Sequence, residues 1–313
     1  HHQTVVAAMV HIGLVHKDQG TYGKALATYK AVLQLSTKIH GGEIHPDVAT
    51  TLTNIGVVHR LQGHDDEALK VYQQALDIEL KVYGGDMHRD VARTLCNMAI
   101  IYQQQADYPR ALDHFERSLA IQRKIHGGDV HPDIARTLAN VANIFFEQCD
   151  YPRALEQYQR ALNIQVQIYG GEVHPDVSAT ICNIGFVYLE MGEFDRAIEH
   201  CQSAVDIQRK VTGAKSRLVA SGLEGVAAAF KEQGKYDQAL EKHQEVLQIR
   251  QELFGGVNRD VARTKFNMGT VHIAQGDKMT ARSLLLQAHT MLMALCGAED
   301  PFTKDVAAVL RDL

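Results

Sequence analysis

Apolar residues return along this chain at steps of three and four. From Asp47 to Leu61 they fall at Val48, Leu52, Ile55, Val58 and Leu61, and from Asp66 to Tyr83 at Ala68, Leu69, Tyr72, Ala75, Leu76, Ile78 and Val82. This is the period of a helix with one buried face. The two stretches predict two helices joined by a turn at Gly63. Glycine pairs stand at Gly41-Gly42, Gly84-Gly85, Gly127-Gly128, Gly170-Gly171 and Gly255-Gly256, the first four spaced by 43 residues, with a single Gly213 before the last pair. A second mark falls midway through each unit, at Gly20, Gly63, Ala106, Cys149, Gly192, Gly234 and Gly276. Self-similarity at this period outweighs any count of domains from length. The pattern predicts an all-α stack of about seven helical hairpins.

The helix ends carry their own signals. Glycine after the second helix accepts the left-handed conformation of a C-cap. Pro46, Pro132 and Pro175 then open the next helix, where a missing N–H costs nothing, and the following aspartate faces the positive end of the helix dipole. Gly13, Gly56, Ala99, Ala142, Gly185, Ala227 and Gly269 form one small-residue column, and Ala25, Ala68, Ala111, Ala154, Ala197, Ala239 and Ala281 another. His16, His59, Tyr102, Phe145, Tyr188, Phe230 and His272 fill a bulky column beside them. One unit departs: Gly222 and Gly225 lie inside its first helix, where each costs about 1 kcal/mol against alanine, and a soft joint is expected there.

These columns, with that of Tyr29, Tyr72, Phe115 and Tyr158, resemble the tetratricopeptide repeat. The long period and the runs Asp47 to Gly56 and Asp90 to Ala99 are similar to repeats of the kinesin light chain type, which also occur in nephrocystin-like proteins and in sensor arms of nucleotide-binding signalling proteins. The resemblance covers nearly the whole chain. It implies a right-handed superhelical solenoid forming a single domain over 1–313. Repeats are expected at about 4–40, 47–83, 90–126, 133–169, 176–211, 217–253 and 260–296, with a capping helix at 302–313. The capping segment bears Val306, Val309, Leu310 and Leu313 on one face. No comparable cap stands before the first helix, so the chain is expected to be part of a longer protein or to self-associate through that end.

In the resembling family the first helix of each hairpin lines a concave groove. Here that face carries an amide column, Asn54, Asn97, Asn140, Asn183 and Asn267. An amide both donates and accepts, and so can pair with the backbone of an extended peptide. Four such bonds, at about 0.5–1.5 kcal/mol each, fall short of the roughly 8 kcal/mol of a micromolar complex, so anchors are needed. Arg60, Arg93 and Arg136 are candidates on one half, suited to acidic ligand residues, with Gln103, Asn143, Phe146 and Phe186 beside them. Two readings stand for the amides: contact with a ligand, or bonds to a neighbouring helix within the repeat. The arginines likewise divide between ligand contact and a solvated or bridging face. The resemblance implies cargo-type peptide recognition by an adaptor; the alternative is a regulatory arm of a larger signalling protein.

Composition removes other classes. A net charge of −5 over 313 residues is no footprint for nucleic acid. No apolar run approaches the roughly 18–20 residues of a membrane span. The five cysteines form no CxxC pair, which points to a reduced, cytoplasmic setting and no zinc site. The 17 histidines fall mostly in columns whose copies sit in different units, so no metal set is expected from one column. With no phosphate loop, no HExxH and no cysteine beside a histidine partner, neither an enzyme nor a cofactor is expected.

Overall fold

The computed structural model describes residues 2–313, and all regular structure among them is helical. The chain divides into two compact units, the first ending at Gln148 and the second spanning Cys149–Leu313. The first unit contains α1 (His2–Asp18), α2 (Tyr22–His40), α3 (Pro46–Leu61), α4 (Asp65–Tyr83), α5 (Arg89–Gln104), α6 (Tyr108–His126) and α7 (Pro132–Glu147). The second contains α8 (Tyr151–Tyr169), α9 (Pro175–Glu190), α10 (Phe194–Thr212), α11 (Arg217–Glu232), α12 (Tyr236–Phe254), α13 (Arg259–Gln275), α14 (Lys278–Cys296) and α15 (Pro301–Arg311). Within each unit consecutive helices pack on one another. First helices of successive hairpins also meet, α3 on α5 and α5 on α7 in one unit, α9 on α11 in the other. Each unit is therefore a helical-repeat stack.

The small-residue columns mark where a hairpin closes. A Cβ added to Gly56 would lie 2.5 Å from Cε1 of Tyr72, which is fully buried, so the ring occupies the space a side chain would need. Ala99 and Phe115, the counterparts of Gly56 and Tyr72 in the next hairpin, are also fully buried. In the second unit Cys201 Sγ sits where a Cβ at Gly185 or Gly225 would fall, within 2.5 and 2.6 Å. The expected soft joint at Gly222 and Gly225 is thus a close-packed contact. Both glycines are buried, and a Cβ at Gly222 would meet Val205 Cγ2 at 2.6 Å. The glycines lower helix propensity but admit α10 to the surface of α11. The turn column is stricter than its letters suggest: Ala106 and Cys149 hold φ of 57° and 59°, a region that costs an L-residue roughly 1–2 kcal/mol.

Between hairpins the interface is partly polar. Ser36, Glu79, Gln122, Gln165, Gln208 and Arg250 recur on the second helices and are all buried. Thr94 Oγ1 donates to Glu79 Oε1 at 3.1 Å, Thr137 Oγ1 to Gln122 Oε1 at 3.2 Å, and Arg250 Nη1 to Thr264 Oγ1 at 2.7 Å. At the next two interfaces neither Gln165 Oε1 nor Gln208 Oε1 has a hydrogen-bond partner, although the threonine position holds Thr180 in one and Gly222 in the other.

The loops between hairpins use histidine as N-cap. Nδ1 of His45, His88, His131 and His174 accepts the backbone N–H two residues on, at 3.2 Å in each case. The same rings stack on the last residue of the preceding helix: His40, Tyr83, His126 and Tyr169, with centroids 3.3–3.4 Å apart. At the far end α15 seals its stack. Val306 is fully buried, and Phe302 meets Phe266 edge-on at 5.5 Å.

Two measurements follow from this packing. Burial pushes the Glu79 carboxyl up to about 7. The unfolded chain releases that proton near the ordinary carboxylate pKa of about 4.3, so stability falls as pH rises from there through about 7. Glu79→Gln, the residue of the sister interfaces, is expected to add about 1–2 kcal/mol at pH ~8 in urea unfolding and to flatten that slope. His243 runs the other way. Burial, then Arg250 and Lys231, hold it down at about 4, so the wild type loses stability as pH falls from about 6.5 toward that value. For the caps, His174→Ala is expected to cost about 1 kcal/mol. His174→Asn should cost far less, because Asn258 Oδ1 already caps α13 by accepting from Asp260 N at 2.8 Å.

Candidate peptide-binding surface

The amide column occupies equivalent places on first helices: Asn54 on α3, Asn97 on α5 and Asn140 on α7 in the first unit, Asn183 on α9 and Asn267 on α13 in the second. All five are half-buried. No described residue hydrogen-bonds to any of these five side-chain amides. The reading in which the column ties neighbouring helices together therefore has no bond to rest on. Each of these amides keeps its donor and acceptor available to solvent or to a ligand.

The anchors divide differently from the sequence expectation. Arg93 Nη2 lies 2.9 Å from Asp90 Oδ1, and Arg136 Nη2 lies 2.5 Å from Asp133 Oδ1, each three residues back on its own helix. Both arginines are exposed, and such pairs hold only about 0.2–1 kcal/mol. Arg60 is half-buried beside Tyr72, pulling against the burial that raises that phenol to about 12, and its Nε has no partner. Gln103 Nε2 donates to Glu147 Oε1 at 2.8 Å, linking α5 to α7. Asn143 and Phe146 lie half-buried on α7. Phe186 packs with the α9–α10 core and approaches α11 near Gly225. Glu224 is paired with Arg250, whose two terminal nitrogens reach its oxygens at 2.6 Å each.

Sequence columns left some groups unread. The buried polar residues between hairpins were invisible because they face helices rather than solvent, although their threonine partners recur at the same period. Cys182 is buried, and Cys96 Sγ lies 3.1 Å from Ser118 Oγ, with burial pushing its thiol up. Two loops of the first unit gather residues from different columns, His40 with His45 and Asp47, and His126 with His131 and Asp133. A column-by-column reading keeps these apart, because each column alone spreads over many units.

No helix among the described residues is long and apolar enough to cross a membrane. Comparison with curated proteins gives no match. Among solved structures, BtubC (BKLC) from P. vanneervenii is similar at 21% identity and a TM-score of 0.59, over 82% of this chain and 93% of that one. A putative kinesin light chain of nearly identical TPR-like repeats from Podosopora anserina is similar at 20% identity and a TM-score of 0.56, over 67% of this chain and 98% of that one. The Rap conjugation gene regulator of plasmid pLS20, solved with the Phr* peptide, is similar at 17% identity and a TM-score of 0.59, over 97% of this chain and 75% of that one. At these identities the likeness is one of fold. The sequence profile of the tetratricopeptide repeat, a scaffold generally used for protein interaction and typically without catalysis, matches residues 4–80, 90–167, 176–242 and 218–294. On that coverage, and on the paired helices of both units, the chain belongs to the tetratricopeptide repeat family.

Proposed function

We propose that this chain is a non-catalytic adaptor of the kinesin light chain-like type, working in the cytoplasm, and that the amides of its first helices bind the backbone of an extended peptide segment. The observation that carries this is the set of half-buried side-chain amides without an internal hydrogen bond, at Asn54, Asn97 and Asn140 of one unit and Asn183 and Asn267 of the other. Recognition through backbone groups leaves the ligand's side chains free to vary, so selectivity must come from beside the column. Arg93 and Arg136 can serve there, because their pairs with Asp90 and Asp133 are exposed and weak enough for a ligand carboxylate to compete. The pLS20 regulator, solved with a peptide, offers a precedent in the same fold.

The double variant Asn97→Ala/Asn140→Ala tests the reading. Partners captured by the wild-type chain are identified by mass spectrometry, and the binding segment is mapped on peptide arrays. Its affinity for the variant is expected to fall at least ~10-fold, about the worth of two hydrogen bonds, while the melting temperature stays unchanged. Equal affinity for both proteins overturns the assignment.

Self-association through α1 is a second expectation. Val5, Ile12 and Val15 form a stripe there and stand 48%, 50% and 53% exposed. Light scattering should show a mass rising with concentration, and Ile12→Asp should return it to one chain. A mass of one chain at all concentrations rules this out.

A further inference from the structure

The loops joining α2 to α3 and α6 to α7 repeat one arrangement. In each, a histidine at the end of the incoming helix stacks on the capping histidine of the outgoing helix, with centroids 3.3 Å apart. The aspartate two residues beyond the cap completes the group. His40, His45 and Asp47 in one loop, and His126, His131 and Asp133 in the other, each offer one ligand atom, and within a loop these atoms lie within 4.8 Å of one another. In the first loop His40 Nε2 is 3.1 Å from Asp47 Oδ2, and His45 Nδ1 is 3.7 Å from the same oxygen. In the second, His131 Nδ1 is 3.6 Å from Asp133 Oδ2.

The sister loops show what the fold itself requires. Between α4 and α5 the incoming helix ends in Tyr83, whose hydroxyl donates to Asp90 Oδ2 at 2.9 Å, and between α8 and α9 Tyr169 donates to Asp176 Oδ2 at 2.7 Å. Both tyrosines also stack on the capping histidine. A phenol thus meets every structural need at this place. Histidine in the other two loops adds a second imidazole beside a carboxylate.

We propose that these two loops are metal sites, each taking one Zn²⁺ or a similar borderline divalent ion through two histidines and an aspartate. Imidazole nitrogen and carboxylate oxygen bind zinc at about 2.0–2.2 Å, which sets the ligand atoms of a tetrahedral site roughly 3.3 Å apart. The spacings of 3.1 and 3.7 Å in the first loop bracket that value. Three protein ligands leave a position for water, and the loops are open enough for an ion to enter. Because a ring nitrogen's lone pair lies in the ring plane, two stacked rings cannot both aim at one ion. Binding therefore turns one ring out of the stack, and a capping histidine that ligates through Nδ1 also gives up the backbone N–H it accepts, so the affinity is reduced by both contacts. An ion held there ties the end of one hairpin to the start of the next within the first unit.

The test compares wild type with the H40Y/H126Y double variant, which installs the residue the sister loops already carry. Calorimetric titration of the full chain with zinc chloride is expected to show one more equivalent per intact loop in the wild type. In the variant these events are lost or weakened at least ~10-fold. Both proteins keep His1 and His2, so binding at those residues cancels. Cobalt(II) should give a visible ligand-field band in the wild type that is lost in step. A second pair, H45N/H131N, keeps the helix caps through asparagine as Asn258 does, and is expected to lose the same equivalents. Zinc should raise the melting temperature of the wild type only. Equal stoichiometry and affinity in the wild type and both double variants overturns the proposal.

Discussion

An amphipathic hairpin of two helices cannot bury both of its apolar faces by itself, and everything else in this protein depends on how its faces are covered. Inside a hairpin the cover comes from close approach. Gly56 takes the ring of Tyr72, and Gly185 takes the sulfur of Cys201, because neither glycine projects a Cβ into the space. Between hairpins the cover is mixed. Apolar residues such as Val91 and Leu95 are buried against the preceding hairpin, while a buried polar residue on one helix meets a threonine on the next. Each polar contact is directional, and the apolar ones are not. The polar ladder therefore fixes which part of one hairpin faces which part of its neighbour, and the apolar contacts supply most of the burial energy.

The interfaces are variations on one design, and the variations have physical consequences. Glu79 stands where sister interfaces place glutamine, so its side chain is buried as an acid and resists ionising. Arg250 stands at the same place with Glu224 as a matching carboxylate and Thr264 as a further acceptor. Gly222 removes the threonine altogether and admits Val205 of α10 into the space a side chain would need. One column of the repeat thus contains a buried acid, an ion-paired arginine and three glutamines.

The candidate surface follows from the same geometry. First helices meet side by side, α3 on α5 and α5 on α7, and carry equivalent residues of the repeat. The amides at Asn54, Asn97 and Asn140 recur in that way and bond nothing in the chain. The arginines beside them do bond, to aspartates placed for a different purpose at the helix starts. An acid that faces a helix dipole is also three residues from the next basic side chain on that face. The cap chemistry therefore takes part of the charge that the sequence alone assigns to a ligand.

Period, helix ends and the small-residue columns were legible in the sequence, because each is a local property of a few neighbouring residues and recurs seven times. The amide column was legible for the same reason. What the columns could not show is which residues of different columns meet. His40 and His45 belong to separate patterns until the chain reverses at Gly41 and stacks their rings. Gly222 and Gly225 read as weakness from helix propensity, whereas the neighbouring helix α10 makes them a close contact. Arg60 reads as a cation free for a ligand, whereas the fold half-buries it beside Tyr72 of the second helix. The sequence by itself determined the repeat, the helices and their caps, since hydrophobic period and backbone preference act within a turn or two of chain. Only the tertiary structure decided which polar groups are already paired, because a pair is made by side chains that the fold, not the sequence order, brings within 3 Å or so of each other.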